Sequence, residues 1–420
     1  MYTKVKNYLA SISDATASNL FLKCNEPKSY LKNYLKEHMK DSAKYSVIAR
    51  PLFWDLHLHG VGGIDFMDHS LDETAMTFCC ETLGSRGIEF FTPTLLSASS
   101  DALAFSCQTW GAFITKLCRG QLRLSSTAAL PLGLHLEGPF LSPQMAGAHL
   151  LSDLRLPSLT ELKTLWNLSQ GQIAILTLAP ELIGSERLIK WATAQKIRVQ
   201  LGHTQASSKQ ALKAQRAGAC GVTHLFNAMP FHHRQPGLWA ALMNPLMNHP
   251  KRPSRAPHEE PFTAEVITDG IHVAATTIVM AQGILGPRLY GVSDGCSAVG
   301  LTARKGQHSQ SPLALGPLTI EIRNSAAYVA QTNTLAGGAT FITAHPERLL
   351  KALRGEGYWG PSEKPPLKLI SALLDLFRPL QTSNLNRREH QILRGCRANP
   401  SGAQRKLRFH RETLKLLGCS

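Results

Sequence analysis

Charged residues are scarce in this 420-residue chain, 18% of the total, and acidic ones scarcer still, 29 Asp and Glu against 45 Lys and Arg. With 43% hydrophobic residues, that composition excludes a disordered polyelectrolyte and leaves ample apolar material for a closed core. No apolar run approaches the roughly 18 residues of a membrane span, and MYTKVKNYLASISDATASNLFLK lacks an apolar stretch before a small-residue cleavage site. A cytoplasmic protein, neither secreted nor membrane-embedded, is the expectation. The nine cysteines are odd in number and scattered, and Cys79 adjoins Cys80. They fit neither a disulfide framework nor a CxxC zinc pattern and read as reduced thiols. GVGG at Gly60 to Gly63 has neither dinucleotide-fingerprint nor P-loop spacing, which argues against a doubly wound sheet. No G-x-S-x-G is present, so serine-hydrolase chemistry is not indicated.

The formal charge of +16 suggests nucleic acid until it is divided along the chain. Residues 1–50 carry +5, residues 341–420 carry +9, and the 290 residues between carry only +2. The basicity therefore sits in the flanks, and neither a nucleic acid nor a membrane is an expected partner.

What is present from residue 51 onward is one repeated grammar: a short β-prone apolar run, a polar loop mouth, then a helical stretch. The candidate strands are LFWDLHLH from Leu52, IEFFTPTL from Ile88, LPLGLHLEG from Leu130 and IAILTLAP from Ile173. IRVQLGHT from Ile197, GVTHLFNA from Gly221, FTAEVITDG from Phe262 and LYGVSDG from Leu289 complete a set of eight. Eight strands alternating with helices predict an α/β fold, a (β/α)8 TIM-type barrel, whose chemistry lies at the C-terminal strand ends. The expected division is a divergent flank at 1–50, the barrel at 51–345 and a basic, partly helical flank at 346–420.

The ionisable residues fall at those strand ends. His57 and His59 end strand one, Glu137 strand three and His203 strand five; His224 lies on strand six. Asp269 and His272 follow strand seven, and Asp294 closes strand eight. A shuffled chain with 17 His gives an H-x-H pair roughly 0.7 times, so the pair alone means little. The ordered set of imidazoles and a carboxylate is what suits zinc, iron or manganese rather than calcium or magnesium. A carboxylate such as Asp294 beside an activated water can take its proton and return it to a leaving amine, the pattern of amide hydrolysis. His272 is a candidate to stabilise the oxyanion, and Cys296 reads as structural.

The segments DLHLHGVGGIDF, GLHLEGPFLSPQMAGAH, LAPE, GHT, HLFNAM, ITDGIH and GVSDG, in this order, resemble the N-acetylglucosamine-6-phosphate deacetylases of the amidohydrolase superfamily over roughly residues 51 to 345. The resemblance implies that Glu137, His203 and His224 bind the principal metal, that His57 and His59 help hold a second, and that Asp294 is the general acid/base. One or two ions per subunit, zinc before iron or manganese, remain open. It further implies that Ala148, His149, Asn227, Ala228, His272, Leu335, Ala336 and Gly337 contact a phosphosugar substrate. Arg234 becomes the phosphate candidate because guanidinium presents paired donors. A homodimer is the implied assembly.

Members of that family build a small β-sandwich from segments flanking the barrel. Here residues 1–50 lack obvious strands, no G-x-I-x-x-G-x-x-A-D-like stretch follows the barrel, and LAGG stands where LAGS is usual. A reduced or divergent flanking domain is therefore expected. The competing readings are an amidohydrolase acting on another N-acyl amino sugar or amide, and an inactive barrel serving in binding or assembly.

Overall fold

The structure is a computed structural model and describes residues 47–232, 234–247, 262–301, 313–360, 363–377, 383–396, 406–410 and 416–419. The expected flank at 1–50 lies outside the described residues up to position 46. Eight parallel strands follow one another around a barrel: β1 (Phe53–Leu58), β2 (Ile88–Leu96), β3 (Leu134–Glu137), β4 (Ile173–Leu178), β5 (Arg198–Leu201), β6 (Gly221–Val222), β7 (Thr263–Ile267) and β8 (Leu289–Val292). Every residue of β1, β3, β4, β5, β7 and β8 is buried, as expected of parallel strands covered by helices on one side and filled by side chains on the other. The ring closes at its top. Asp294 N–H donates to the His57 carbonyl at 3.0 Å, and His59 N–H donates to the Gly295 carbonyl at 2.6 Å. Below them the buried carboxylate of Asp55 accepts from Ser293 N–H (3.0 Å) and Oγ–H (2.6 Å), tying β1 to the end of β8.

Helices alternate with these strands where local chemistry starts them. Asp72 caps α1 (Glu73–Ser85), Ser99 caps α2 (Ser100–Cys118), and Ser158 caps α3 (Leu159–Leu168), each accepting from a backbone N–H three residues on. After α4 (Ser185–Ala194), α5 (Ser208–Ala217) opens with a Ser207–Gln210 capping box and stops at Gly218 in the left-handed region. The ring is completed by α6 (Trp239–Met247) and α7 (Ala275–Leu285). Trp110 on α2 is fully buried and donates from Nε1 to the Phe66 carbonyl at 3.0 Å, fixing the loop after β1.

Beyond the barrel the structure adds what patterning did not separate. Within the stretch expected to be barrel to residue 345, an antiparallel four-stranded sheet follows β8: β9 (Leu313–Leu315), β10 (Leu318–Arg323), β11 (Ala326–Val329) and β12 (Leu335–Gly338). The flank at 346–420 carries the helical runs of the sequence reading as α8 (His345–Gly355) and α9 (Leu367–Asp375), then α10 (Ser383–Cys396). It also carries an unforeseen hairpin, β13 (Lys406–His410) with β14 (Leu416–Cys419). A strand at Val47–Pro51 is likewise unforeseen, since no strand was expected before residue 51. The flank docks through aromatics: Phe53, the first residue of β1, stacks on Phe377 (4.9 Å between centroids) and Phe409 (5.7 Å). Arg388 of α10 donates to the carbonyl oxygens of Gly171 (3.4 Å) and Ile173 (2.6 Å) at the start of β4. Among the described residues, no helix is long and apolar enough to cross a membrane.

Candidate metal centre and active site

At the C-terminal mouth of the barrel one carboxylate sits among five imidazoles. Glu137, the last residue of β3, has Oε1 at 3.0 Å from His224 Nε2, 3.1 Å from His203 Nε2 and 3.5 Å from His57 Nε2. Its Oε2 lies 3.3 Å from His59 Nε2 and 3.5 Å from His149 Nε2. Asp294 Oδ1 approaches His59 Nε2 at 3.1 Å and His57 Nε2 at 3.3 Å. All of these residues except Asp294 are buried to under 9% exposure, so the cluster is shielded from bulk water. His224 lies beyond the two-residue β6 rather than on it, a correction to its predicted place. His203 (φ 46°), His224 (φ 26°) and Asp294 (φ 49°) take left-handed backbone conformations at strand ends. His and Asp tolerate that region better than most residues.

Which ring nitrogen faces inward is set by the other one. His59 Nδ1–H donates to the Thr94 carbonyl (3.2 Å), His203 Nδ1–H to the Met145 carbonyl (2.8 Å), and His57 Nδ1–H to Glu265 Oε1 (2.6 Å). Each of these three therefore presents an Nε2 lone pair, the form a metal requires. His149 is wired in reverse. Its Nδ1 accepts from Ser97 N–H at 3.3 Å, so Nε2 keeps the proton and the ring is a donor, although its nitrogen lies close enough to Glu137 and His203 to resemble a ligand.

Electrostatics point the same way. Burial opposes charge on His57 and His59, but Glu137, Asp294 and, for His57, Glu265 outweigh it, raising His57 well above its ordinary value and His59 to about 9. Burial likewise opposes ionisation of Glu137 and Asp294, yet the imidazolium charges hold Glu137 well below its usual range and Asp294 at about 2. Three carboxylates, Glu137, Glu265 and Asp294, thus draw positive charge into the mouth, which a divalent cation supplies as well as protons do. The donor set fits such an ion: ligand atoms of His57, His59 and Glu137 lie within 4.8 Å of one another.

The cluster forms the floor of a cavity of about 250 Å³. Of the residues named from the sequence, His59, Glu137, Ala148, His149, His203, His224, Asn227, Ala228, His272, Asp294, Leu335, Ala336 and Gly337 line it. His57 lies deeper, behind His59. Arg234 is exposed in the turn after β6 and does not line the cavity. No Lys or Arg is found among the described lining residues. His272 is held by Asp269, which accepts from its backbone N–H (3.0 Å) and from Nδ1–H (2.8 Å). Burial disfavours a proton on His272, but that pairing prevails and raises its pKa.

The four-stranded sheet supplies the cavity's far wall. Gly338 N–H donates to the Asp294 carbonyl at 2.7 Å, and Cys296 N–H donates to the Gly338 carbonyl at 3.0 Å, so β12 is bolted to the end of β8. A Cβ on Gly337 (φ 102°) would stand 2.5 Å from the Asp294 carbonyl oxygen, which excludes a side chain there. Cys296 is fully buried, and burial pushes its thiol up to about 12, in keeping with a structural role. The sequence reading missed Glu265, whose only signal is a lone carboxylate in the otherwise apolar strand FTAEVI.

No family model matches the chain. The chain is 33% identical over 297 residues to the N-acetylglucosamine-6-phosphate deacetylase of Bos taurus, covering 69% of this chain and 66% of that protein. It is 31% identical over 314 residues to the Caenorhabditis elegans protein of the same name, covering 73% and 69%. The chain thus spans about two thirds of the length of these relatives. Its fold matches the crystal structure of N-acetyl-D-glucosamine-6-phosphate deacetylase from Mycobacterium smegmatis with a TM-score of 0.66 and 26% identity, over 89% of this chain and 86% of that one. A variant of that enzyme has been solved in complex with N-acetyl-D-glucosamine-6-phosphate.

Proposed function

Because the chain belongs to the N-acetylglucosamine-6-phosphate deacetylase family, we propose that it hydrolyses the N-acetyl group of N-acetylglucosamine 6-phosphate, giving glucosamine 6-phosphate and acetate. The observation that carries this reading is the buried set of Glu137, His203 and His224 facing Asp294 across one cavity. Glu137, His203 and His224, with His57 and His59 beside them, would hold a divalent ion, zinc before iron or manganese given imidazole and carboxylate donors. When bound, that ion lowers the pKa of water and polarises an amide carbonyl.

The remaining work falls to the chain. Asp294, held ionised by its histidine neighbours, accepts the proton of the attacking water and passes it to the amine nitrogen as the C–N bond breaks. His149 Nε2–H faces the same space and is a ready donor to the carbonyl oxygen as charge builds there, with His272 a second. Ala148, Asn227, Ala228, Leu335, Ala336 and Gly337 shape the walls around the sugar. Arg234, the phosphate candidate, lies outside the lining and contributes if the phosphate end of the substrate reaches beyond it. The thiols of Cys79 and Cys107, pushed up to about 12 by burial, suit a reducing cytoplasm. Exposed Leu151, Leu156 and Ile183 offer apolar surface for the homodimer that family resemblance implies.

A second reading, hydrolysis of an unphosphorylated N-acylamino sugar, draws on the absence of Lys and Arg among the described lining residues. Acetate release from N-acetylglucosamine 6-phosphate against N-acetylglucosamine, by metal-stripped protein restored with zinc, iron or manganese, decides between them. Metal-dependent release that strongly prefers the phosphorylated sugar is the expected result. Preference for the free sugar would select the second reading, and no release with any metal would leave a barrel without this activity.

A further inference from the structure

The histidines of the cluster are not oriented alike. His59 and His203 lean on backbone carbonyls, which any residue at those positions would supply. His57 alone among the ring-anchored ones leans on a side chain, Glu265 of β7, at 2.6 Å. His224 Nδ1 is buried with no hydrogen-bond partner among the described residues, so its ring is aimed by the backbone that carries it. That backbone is also held by Glu265: His224 N–H donates to Glu265 Oε1 at 3.1 Å, and Leu225 N–H donates to the Glu265 carbonyl at 2.8 Å.

We infer that Glu265 is the positioning residue of the cation site, one carboxylate oxygen both orienting the His57 ring from β1 and pinning the turn after β6 that presents His224. The inference rests on the reading that this donor set holds a divalent ion.

Glu265 is itself fully buried and fixed on its other oxygen. Gln200 Nε2–H (3.3 Å) and Tyr290 O–H (3.4 Å) donate to Oε2, from β5 and β8. A side chain gripped from two strands cannot swing away from His57 without breaking those bonds. It therefore spans β1, β5, β6, β7 and β8 from inside the barrel, where packed apolar side chains are the rule. A polar group in that layer has a cost in desolvation that only a full set of partners offsets. Partners that hold a histidine are conventional for metal sites, and their loss commonly weakens metal binding by roughly 10- to 100-fold.

Two near-isosteric variants separate reach from charge. E265Q keeps an oxygen at His57 and loses the charge; E265D keeps the charge and withdraws the oxygen by one methylene. Zinc is titrated into metal-stripped wild-type and variant proteins, with thermal unfolding of each metal-free form measured alongside. E265D is expected to lose about 10- to 100-fold in zinc affinity, and E265Q to stay within about threefold of wild type, both with near-native unfolding. Equal losses, no loss in E265D, or a larger loss in E265Q would overturn the inference. Should E265D not be recovered folded, E265M replaces it with the same expectation. Wild-type protein that binds no zinc, iron or manganese would instead defeat the underlying reading of a cation site.

Discussion

Glu137 and Asp294 face the same imidazoles but carry different work, and their surroundings explain why. Glu137 is enclosed by five rings that occupy both of its oxygens, whereas Asp294 opens on the cavity and, among the described residues, its Oδ1 meets His57 and His59. D294N should keep its metal and lose roughly 10²- to 10⁴-fold in kcat, since an amide cannot shuttle the proton. Metal content and turnover measured together check this, and unchanged turnover would remove Asp294 from the chemistry. His149 gives the complementary case. With its proton on Nε2 it is a donor rather than a ligand, so H149F should lower kcat by roughly 10²-fold and leave bound metal at the wild-type level. Metal loss in H149F would make it a ligand after all. Glu137 and Asp294 were readable because polar groups at the ends of predicted strands stand out, whereas His149 came only through the family resemblance. Glu265 was not readable, because period-two alternation places it inward without saying which ring it meets.

Elements were legible in proportion to how local their signals are. The capped helices α1, α2, α3 and α5 and the apolar strands can be read from neighbouring residues alone. The sheet β9–β12 and the hairpin β13–β14 pair between sequence neighbours, but their strands run only three to six residues and β10 lacks a clean alternation of buried and exposed positions, so little in the sequence marks them. That added sheet matters to the site through Gly337 and Gly338, which let β12 approach the backbone of Asp294. G337A forces a Cβ against the Asp294 carbonyl and a left-handed backbone onto alanine. A loss of about 1–3 kcal/mol in stability is expected, with a fall in kcat as Asp294 is displaced. Urea unfolding and turnover of the variant test it; wild-type values in both would show that β12 can retreat at no cost.

For the whole molecule, pH acts in opposite senses on two buried groups that are not ligand candidates, His345 and Asp65. His345 holds Thr268 Oγ1 at 2.8 Å and Thr340 Oγ1 at 3.2 Å, and burial pushes its pKa down to about 4. Above the ordinary histidine value of 6.5 it is neutral in both folded and unfolded chains. As pH falls from 6.5 through about 4, only the unfolded chain takes the proton, so up to ~3 kcal/mol of stability is lost. Asp65 acts oppositely: burial raises it to about 6, so folding loses stability as pH rises from its ordinary 3.8 through 6 and regains it on acidification. H345N should therefore gain stability relative to wild type between pH 7 and pH 5, read as urea midpoints at each pH. A constant difference would show that His345 does not titrate with folding. The barrel class and six of the residues at its mouth were determined by the sequence itself, because alternating apolar runs and strand-end polar groups are local patterns. Tertiary structure alone decided which ring nitrogens face inward, that Glu265 stands behind His57, that Arg234 lies outside the cavity and that β12 closes its wall. Each of these depends on contacts between residues tens to hundreds of positions apart, and no local pattern encodes such distances.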